Sequence, residues 1–405
     1  MVLKLRLTSR RTITVDFSYI LLSVSVLAVP FNLKLLGPFR LLDISLMLLI
    51  LIYIKDISIT SKTFTIYIGL AILVSISTVL SVSEYGVTRF DTIFFAYKFL
   101  MPLLIFKALE KRGFAENEIS STINYQILIF LILVLWVYAY LYFRLTGVIR
   151  GSFRPSLPFN EDNYTSDSPF YSTVLAMYFI LIFFIYKAIK NRLFRGILFV
   201  LAIASLLLTG GRSGLVFLAV YFGLYSLFTF KPYISRKRLP IYFVLLIGLI
   251  VAGVVASDQI INNRLIERSL SFDLGEDQSA QGRVAKLIMS FENNYQFGLL
   301  FGRGFLSHDA LWYDGAISTI NAYFGILGVF IVSILLYNIY ITQIIPLKKD
   351  YQKAYYVLFS LTTAYIVTNL ISDYYLLTRS IFPFLINFFL IKYILVNARK
   401  PETLG

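Results

Sequence analysis

Arg212, Arg264, Arg268, Arg283 and Arg303 fall between apolar runs, in loops expected to face away from the cytoplasm, and they share those loops with Asp314 and the sole histidine, His308. Arginine carries a permanent charge on a planar fork that can pair two oxygens of a phosphate. A carboxylate or an imidazole beside a hydroxyl can take its proton in a reaction run near neutral pH. Together these side chains suit chemistry on an anionic substrate, with cations holding the charge and a base activating a nucleophile.

The local patterns sharpen that reading. Thr209-Gly-Gly-Arg-Ser-Gly214 separates two apolar runs, and its glycines allow a tight reversal. Amides at the start of the following helix would face an anion beside Arg212. The turn lacks the lysine and spacing of a nucleotide-binding P-loop, so nucleotide hydrolysis has no support. In the stretch from Arg283 to Glu292, the apolar residues Val284, Leu287, Ile288 and Phe291 recur at helical spacing. This predicts a helix with one face on the membrane domain and Arg283 and Lys286 beside that face. Arg264 and Arg268 are four residues apart and share one side of any helix there. A basic amphipathic helix lying on anionic lipid is the competing reading of these positions. Farther on, Phe301-Gly-Arg-Gly304 precedes His308 and Asp314 at the mouth of the next apolar run. Nearby arginines would keep Asp314 ionised.

The elements that must position these groups are membrane helices. Hydrophobic residues make up 58% of the 405, in runs close to the ~20 residues that span a bilayer. The runs fall at 17 to 33, 38 to 54, 64 to 82, 91 to 109, 123 to 143, 169 to 188, 195 to 209, 213 to 230, 240 to 257, 316 to 345, 352 to 371 and 380 to 397. They are continuously apolar rather than alternating, which excludes a β-barrel. The expected fold is an all-α polytopic membrane protein of about twelve transmembrane helices. It forms a single transmembrane domain over 1–405, with a long, partly helical outer loop at 258–315, between the ninth and tenth helices, as a subdomain.

Lysine and arginine concentrate in the loops on the side of the N-terminus, and most acidic residues lie on the other side. Both termini are therefore expected in the cytoplasm. The formal charge of +15 comes in short clusters between spans, not along one surface, so a nucleic-acid partner is not implied. The basic start resembles a signal n-region, but Ala28-Val-Pro30 makes a poor cleavage site, and the first span reads as an uncleaved anchor. The chain has no cysteine, which excludes disulfides and thiolate chemistry. No ligand cluster calls for a metal, and no cofactor motif is present. Lys98 lies inside a span, seven residues after Asp91 on the same helical face, and should point into the bundle or its outer cavity. Arg154 belongs to a second long outer loop, 144 to 168, whose aromatic, Asn and Asp residues could contact sugar, although any wet, proline-bearing loop has the same composition.

The order of these motifs resembles bacterial O-antigen and capsular polysaccharide polymerases and ligases. The resemblance rests on the Thr-Gly-Gly-Arg212-Ser-Gly turn, the Gly282-Arg283 helix, the Gly302-Arg303-Gly304 turn and a polar residue ahead of Gly325-Ile-Leu-Gly328. It covers roughly residues 195 to 330, and the hydropathy outline fits the whole chain. The resemblance implies an inverting glycosyltransferase acting at the periplasmic face of the bacterial inner membrane on undecaprenyl diphosphate-linked oligosaccharides. Donor and acceptor would both be lipid-linked, with a chain-length regulator protein as an additional partner. Arg212 and Arg283 match arginines thought to hold the diphosphate. By their positions alone, and not by the resemblance, Arg264, Arg268, Arg303, Arg154 and Lys98 are second-rank candidates for contact with diphosphate or sugar. Asp314 occupies the position at which ligases of the family carry a catalytic histidine, and His308 lies too early for that role. An acidic residue there is more similar to a polymerase. A ligase and, from another class, a lipid-linked oligosaccharide transporter or flippase are the alternatives.

Overall fold

The computed structural model describes the chain from 2 to 397 apart from 9–10, 32, 37–38, 56, 58–60, 86–90, 113–115, 149–154, 156–167, 186–191, 210, 230–277, 303–314 and 372–377. Helices account for nearly all of the described chain. They are α1 (Phe17–Ala28), α2 (Leu41–Tyr53), α3 (Ser61–Tyr85), α4 (Asp91–Arg112), α5 (Glu116–Leu145), α6 (Ser168–Ile185), α7 (Arg192–Leu208), α8 (Arg212–Thr229), α9 (Gln278–Phe297), α10 (Ala316–Ile339), α11 (Leu347–Asp350), α12 (Gln352–Ile371) and α13 (Thr378–Asn397). A π-helical turn, Tyr340–Ile344, follows α10. Each apolar run of the sequence coincides with one of these helices except the ninth, 240 to 257, which lies outside the described residues.

Among the described residues, three helical stretches are long and apolar enough to cross a membrane: Ser121–Leu145, Arg212–Thr229 and Ala316–Asp350. Shorter apolar helices accompany them, among them Leu41–Tyr53, Tyr171–Phe184 and Ser380–Val396. Their surfaces carry bulky apolar side chains outward, with Leu135, Leu227 and Phe330 all at least 60% exposed. Small polar residues such as Ser25, Ser45, Ser77, Thr173 and Asn321 are buried. Apolar outside with small and polar residues at the crossings is the arrangement favoured where lipid is the solvent.

Among the described residues, two short antiparallel pairings flank α1. In the first, Val2–Thr8 pairs with Arg11–Asp16, setting Leu3 opposite Val15 and Leu5 opposite Ile13. The basic start read from sequence as a signal-like region is thus a β-ribbon that runs directly into α1. Its alternation of Leu3, Leu5 and Leu7 with Lys4 and Arg6 is a period-two strand signal. The second pairing joins Lys34–Leu36 to Phe39–Arg40.

The chain divides into two compact units. The first comprises Met1–Ile129, Gly282–Ile339 and Asp373–Ile386; the second comprises Phe130–Gln281, Tyr340–Ser372 and Asn387–Gly405. In the first, α1 packs on α2 through a buried bond from Ser25 Oγ to Ser45 Oγ at 3.0 Å, and α3 packs on α10. In the second, α8 packs against both α6 and α12. Ring contacts set the directions. Phe228, at the end of α8, stacks on Tyr356 near the start of α12 at 5.2 Å, so these helices run antiparallel. Ser172 meets Ser213, and Phe183 meets Phe222, so α6 and α8 run parallel.

Candidate functional site

Arg212 is the first residue of α8 and is half-buried. The turn before it is tight because α7 ends at Leu208 and the Thr209 hydroxyl serves both sides of the reversal. Its Oγ1 donates to Leu206 O at 2.7 Å and accepts the Gly211 N–H at 3.3 Å. One turn inside α8, the Gly214 N–H donates to Ser172 Oγ at 3.1 Å, and the hydroxyls of Ser172 and Ser213 lie 3.1 Å apart. A side chain on Gly214 would run into the Ser172 backbone carbonyl, so only glycine permits this approach.

Because α6 and α8 are parallel, their N-terminal ends lie side by side at Ser172 and Ser213. Two positive helix-dipole ends therefore lie at this end of the unit, opposed by the negative C-terminal end of α7 just before the turn. Antiparallel α12 brings its C-terminal end, with the buried Asn369, to the same end of the unit. A half-buried arginine as the first residue of α8, next to the start of α6, has the charge and planar fork that phosphate oxygens take.

In the first unit, the helix that carries Arg283 is docked on a broken helix. Gly325 has φ 65° and ψ −167°, which interrupts α10. At that break, the Ile326 N–H donates to Leu299 O at 3.0 Å and the Leu327 N–H to Leu300 O at 3.2 Å. Both would otherwise bond to carbonyls four residues earlier in α10. The Tyr323 carbonyl, which loses Leu327 as its donor, instead accepts the Ser77 hydroxyl from α3. The accepting turn, Gly298 to Gly302, is closed by Gly302 N–H to Gly298 O at 2.8 Å, with Gly302 at φ 70°. Four residues before the break, Asn321 is fully buried and donates through Nδ2 to the Ser290 carbonyl of α9 at 3.1 Å.

That bond fixes the rotation of α9, and it differs from the sequence expectation. Among the described side chains of α9, Ser290 is the buried one, while Val284, Ile288, Met289 and Phe291 are exposed. The apolar stripe was expected to lie on the membrane domain; a polar contact takes that place because Asn321 needs a partner in the interior. Arg283 stands seven residues before Ser290, two turns up the same face of the helix.

The described residues contain three of the nominated cations: Arg212 at the start of α8 in the second unit, Arg283 on α9 in the first, and Lys98 inside α4. Asp314, His308, Arg264, Arg268, Arg303 and Arg154 lie outside the described residues. Sequence reasoning passed over Ser172, Asn321 and Asp43. Asp43 is buried near the start of α2, where its Oδ2 accepts the Arg40 N–H at 3.1 Å and its carbonyl accepts the Tyr97 hydroxyl at 3.2 Å. An ionisable residue within an apolar run was a visible signal for it.

No protein-family model and no curated protein matches the chain.

Proposed function

We propose that the protein is an inverting glycosyltransferase that joins undecaprenyl diphosphate-linked oligosaccharide repeat units into O-antigen or capsular polysaccharide. The observation that carries the reading is Arg212, half-buried at the start of α8 beside the parallel start of α6. In this reading the chain makes about twelve passes through the bacterial inner membrane, with both termini in the cytoplasm. Arg212 and the N-terminal ends of α6 and α8 face the periplasm.

The chemistry follows from the donor. Breaking the bond between the anomeric carbon and the diphosphate oxygen releases an anionic leaving group, so cations placed on that oxygen stabilise the transition state more than the ground state. Arg212 and Arg283 carry that role. The acceptor hydroxyl oxygen forms the new bond to the anomeric carbon from the opposite face, and Asp314 receives its proton. His308 is the second candidate base. Arg264, Arg268, Arg303, Arg154 and Lys98 extend the contact to diphosphate and sugar. The reaction needs no cofactor, because the lipid diphosphate is already an activated donor.

The break in α10 at Gly325 favours a second reading, a lipid-linked oligosaccharide transporter, since discontinuous helices often carry transport sites. The two readings separate in proteoliposomes supplied with a labelled lipid-linked repeat unit. The glycosyltransferase lengthens the lipid-linked glycan, whereas a transporter moves it between leaflets at unchanged length. Products of unchanged length, with the label crossing the bilayer, would overturn the enzyme reading.

A further inference from the structure

Asn369 stands near the C-terminal end of α12 and is 6% exposed. Its Nδ2 donates to the Tyr365 carbonyl, one turn back, at 2.6 Å, while its Oδ1 has no partner. Ser360 and Thr362 of the same helix also hold unpaired oxygens. Those are hydroxyls, which can rotate to donate to their own helix, as Thr368 does to Ala364 O at 2.7 Å. An amide oxygen can only accept, so Oδ1 is satisfied by a donor brought to it. A buried acceptor without a donor costs stability, and an apolar side chain of the same shape would avoid that cost.

The ring contacts of α12 with α8 set the level and the face of Asn369. Phe228 stacks on Tyr356 and meets Tyr355 edge-on at 6.4 Å. Asn369 follows Tyr355 by fourteen residues, close to four full turns, and so returns to the face of α12 that meets α8. Thirteen residues separate Tyr356 from Asn369, and thirteen separate Leu215 from Phe228. In an antiparallel pair this puts Asn369 about level with Leu215, roughly 4.5 Å along the axis from Arg212. Arg212, Leu215 and Asn369 all belong to the second unit.

The cation and the unpaired oxygen are therefore one helical turn apart in depth at the same end of α8 and α12. A ligand with its anionic group on Arg212 needs only the next ring of its structure to reach that oxygen, provided the ring offers an O–H or N–H.

We infer that Asn369 is a sugar-contact residue: its Oδ1 accepts a hydroxyl, or the N–H of an acetamido group, from the sugar joined to the diphosphate that Arg212 holds. The ligand's identity rests on the glycosyltransferase reading. Recognition is then divided, with Arg212 reading the charge and Asn369 the sugar. The division has a consequence for turnover. Once the glycan has been transferred, the remaining undecaprenyl diphosphate has no donor for Asn369, so the spent lipid is held less tightly than the fresh donor.

The test compares two probes on purified protein in lipid nanodiscs: undecaprenyl diphosphate alone, and the same lipid carrying the repeat unit. Binding to each would be titrated for the wild type, Asn369→Leu, Arg212→Ala and Thr368→Val, with thermal unfolding of the ligand-free proteins alongside. Asn369→Leu should weaken binding of the glycosylated lipid roughly tenfold, the cost of one unmade hydrogen bond to a buried donor. It should leave binding of the bare lipid diphosphate within twofold and the unfolding midpoint at or above the wild-type value. Arg212→Ala should weaken both lipids, and Thr368→Val neither. Equal affinity of wild type and Asn369→Leu for the glycosylated lipid would overturn the inference, as would an equal loss for both lipids, which marks a structural role. Should the leucine variant fail to fold, Asn369→Ala gives the same comparison. A wild type that binds neither lipid would instead overturn the glycosyltransferase reading, and this inference with it.

Discussion

A Cβ on Gly302 would stand 2.5 Å from the backbone nitrogen of Gly325, so the turn that ends α9 and the break in α10 meet only because neither residue has a side chain. Both also hold positive φ, which L side chains rarely adopt. The contact ties the Arg283 helix to a membrane helix through backbone alone.

Gly325→Ala and Gly302→Ala should each destabilise the protein by about 1–3 kcal/mol from overpacking, with backbone strain in addition. Thermal unfolding in detergent would show lower midpoints for both. Gly223→Ala is the control: a Cβ there meets nothing within 4 Å in the middle of α8, and the gain in helix propensity should leave the midpoint unchanged or raise it.

Ser77→Ala removes the hydroxyl that serves the Tyr323 carbonyl at the break. A buried carbonyl left without its donor costs about 1–3 kcal/mol. Ser75→Ala, one turn-face away, removes only a bond to its own helix at Ala71 and should cost little. Equal midpoints for the two variants would show that Ser77 does not support the break.

At the other unit, Ser172→Ala withdraws the acceptor of the Gly214 N–H, the role of a helix cap supplied by a neighbouring helix. The expected loss is about 1 kcal/mol. Gly214→Ala should cost more, since it forces α6 and α8 apart at the Ser172 carbonyl. If the end of α8 beside Arg212 binds the diphosphate, Gly214→Ala also weakens substrate binding more than its loss of stability predicts. Parallel thermal unfolding and binding titrations would check this.

Asn321→Ala breaks the bond to the Ser290 carbonyl that sets the rotation of α9. A drop of about 1 kcal/mol follows from the lost buried hydrogen bond. Limited proteolysis of α9, read as cleavage rate at equal temperature, should rise more in Asn321→Ala than in Ser77→Ala, because only the first releases the middle of that helix.

Much of the helical framework was legible in hydropathy because the runs that form the helices are continuously apolar. The features that matter most to the site were not. A hydropathy window averages over Gly325, so α10 read as one uninterrupted run although the Gly325-Ile-Leu-Gly328 motif was visible. The face of α9 was predicted by placing apolar residues inward, a rule made for water. In the structure the polar bond between Asn321 and the Ser290 carbonyl decides which face of α9 is buried. The first sixteen residues were weighed as a targeting signal, and the strand alternation of Leu3 to Thr8 went unused. Arg212 was nominated because a cation in a short hairpin expected on the outer side runs against the usual charge bias. Its setting between α6 and α8 needed the tertiary contact of Ser172 with Gly214, which lie 42 residues apart in the chain.

The direct test of the central claim is to incubate the purified protein in lipid with only its undecaprenyl diphosphate-linked repeat unit. Product length and released lipid diphosphate would be measured for the wild type, Arg212→Ala and Arg212→Lys at matched folded concentration. The account predicts a ladder of products with one lipid diphosphate released per bond formed. Turnover should be about 10²- to 10³-fold lower in Arg212→Ala, and only partly restored by lysine, which lacks the paired fork. A wild type that makes no longer product from a demonstrably intact substrate, or an Arg212→Ala variant that turns over as fast as the wild type, would contradict it.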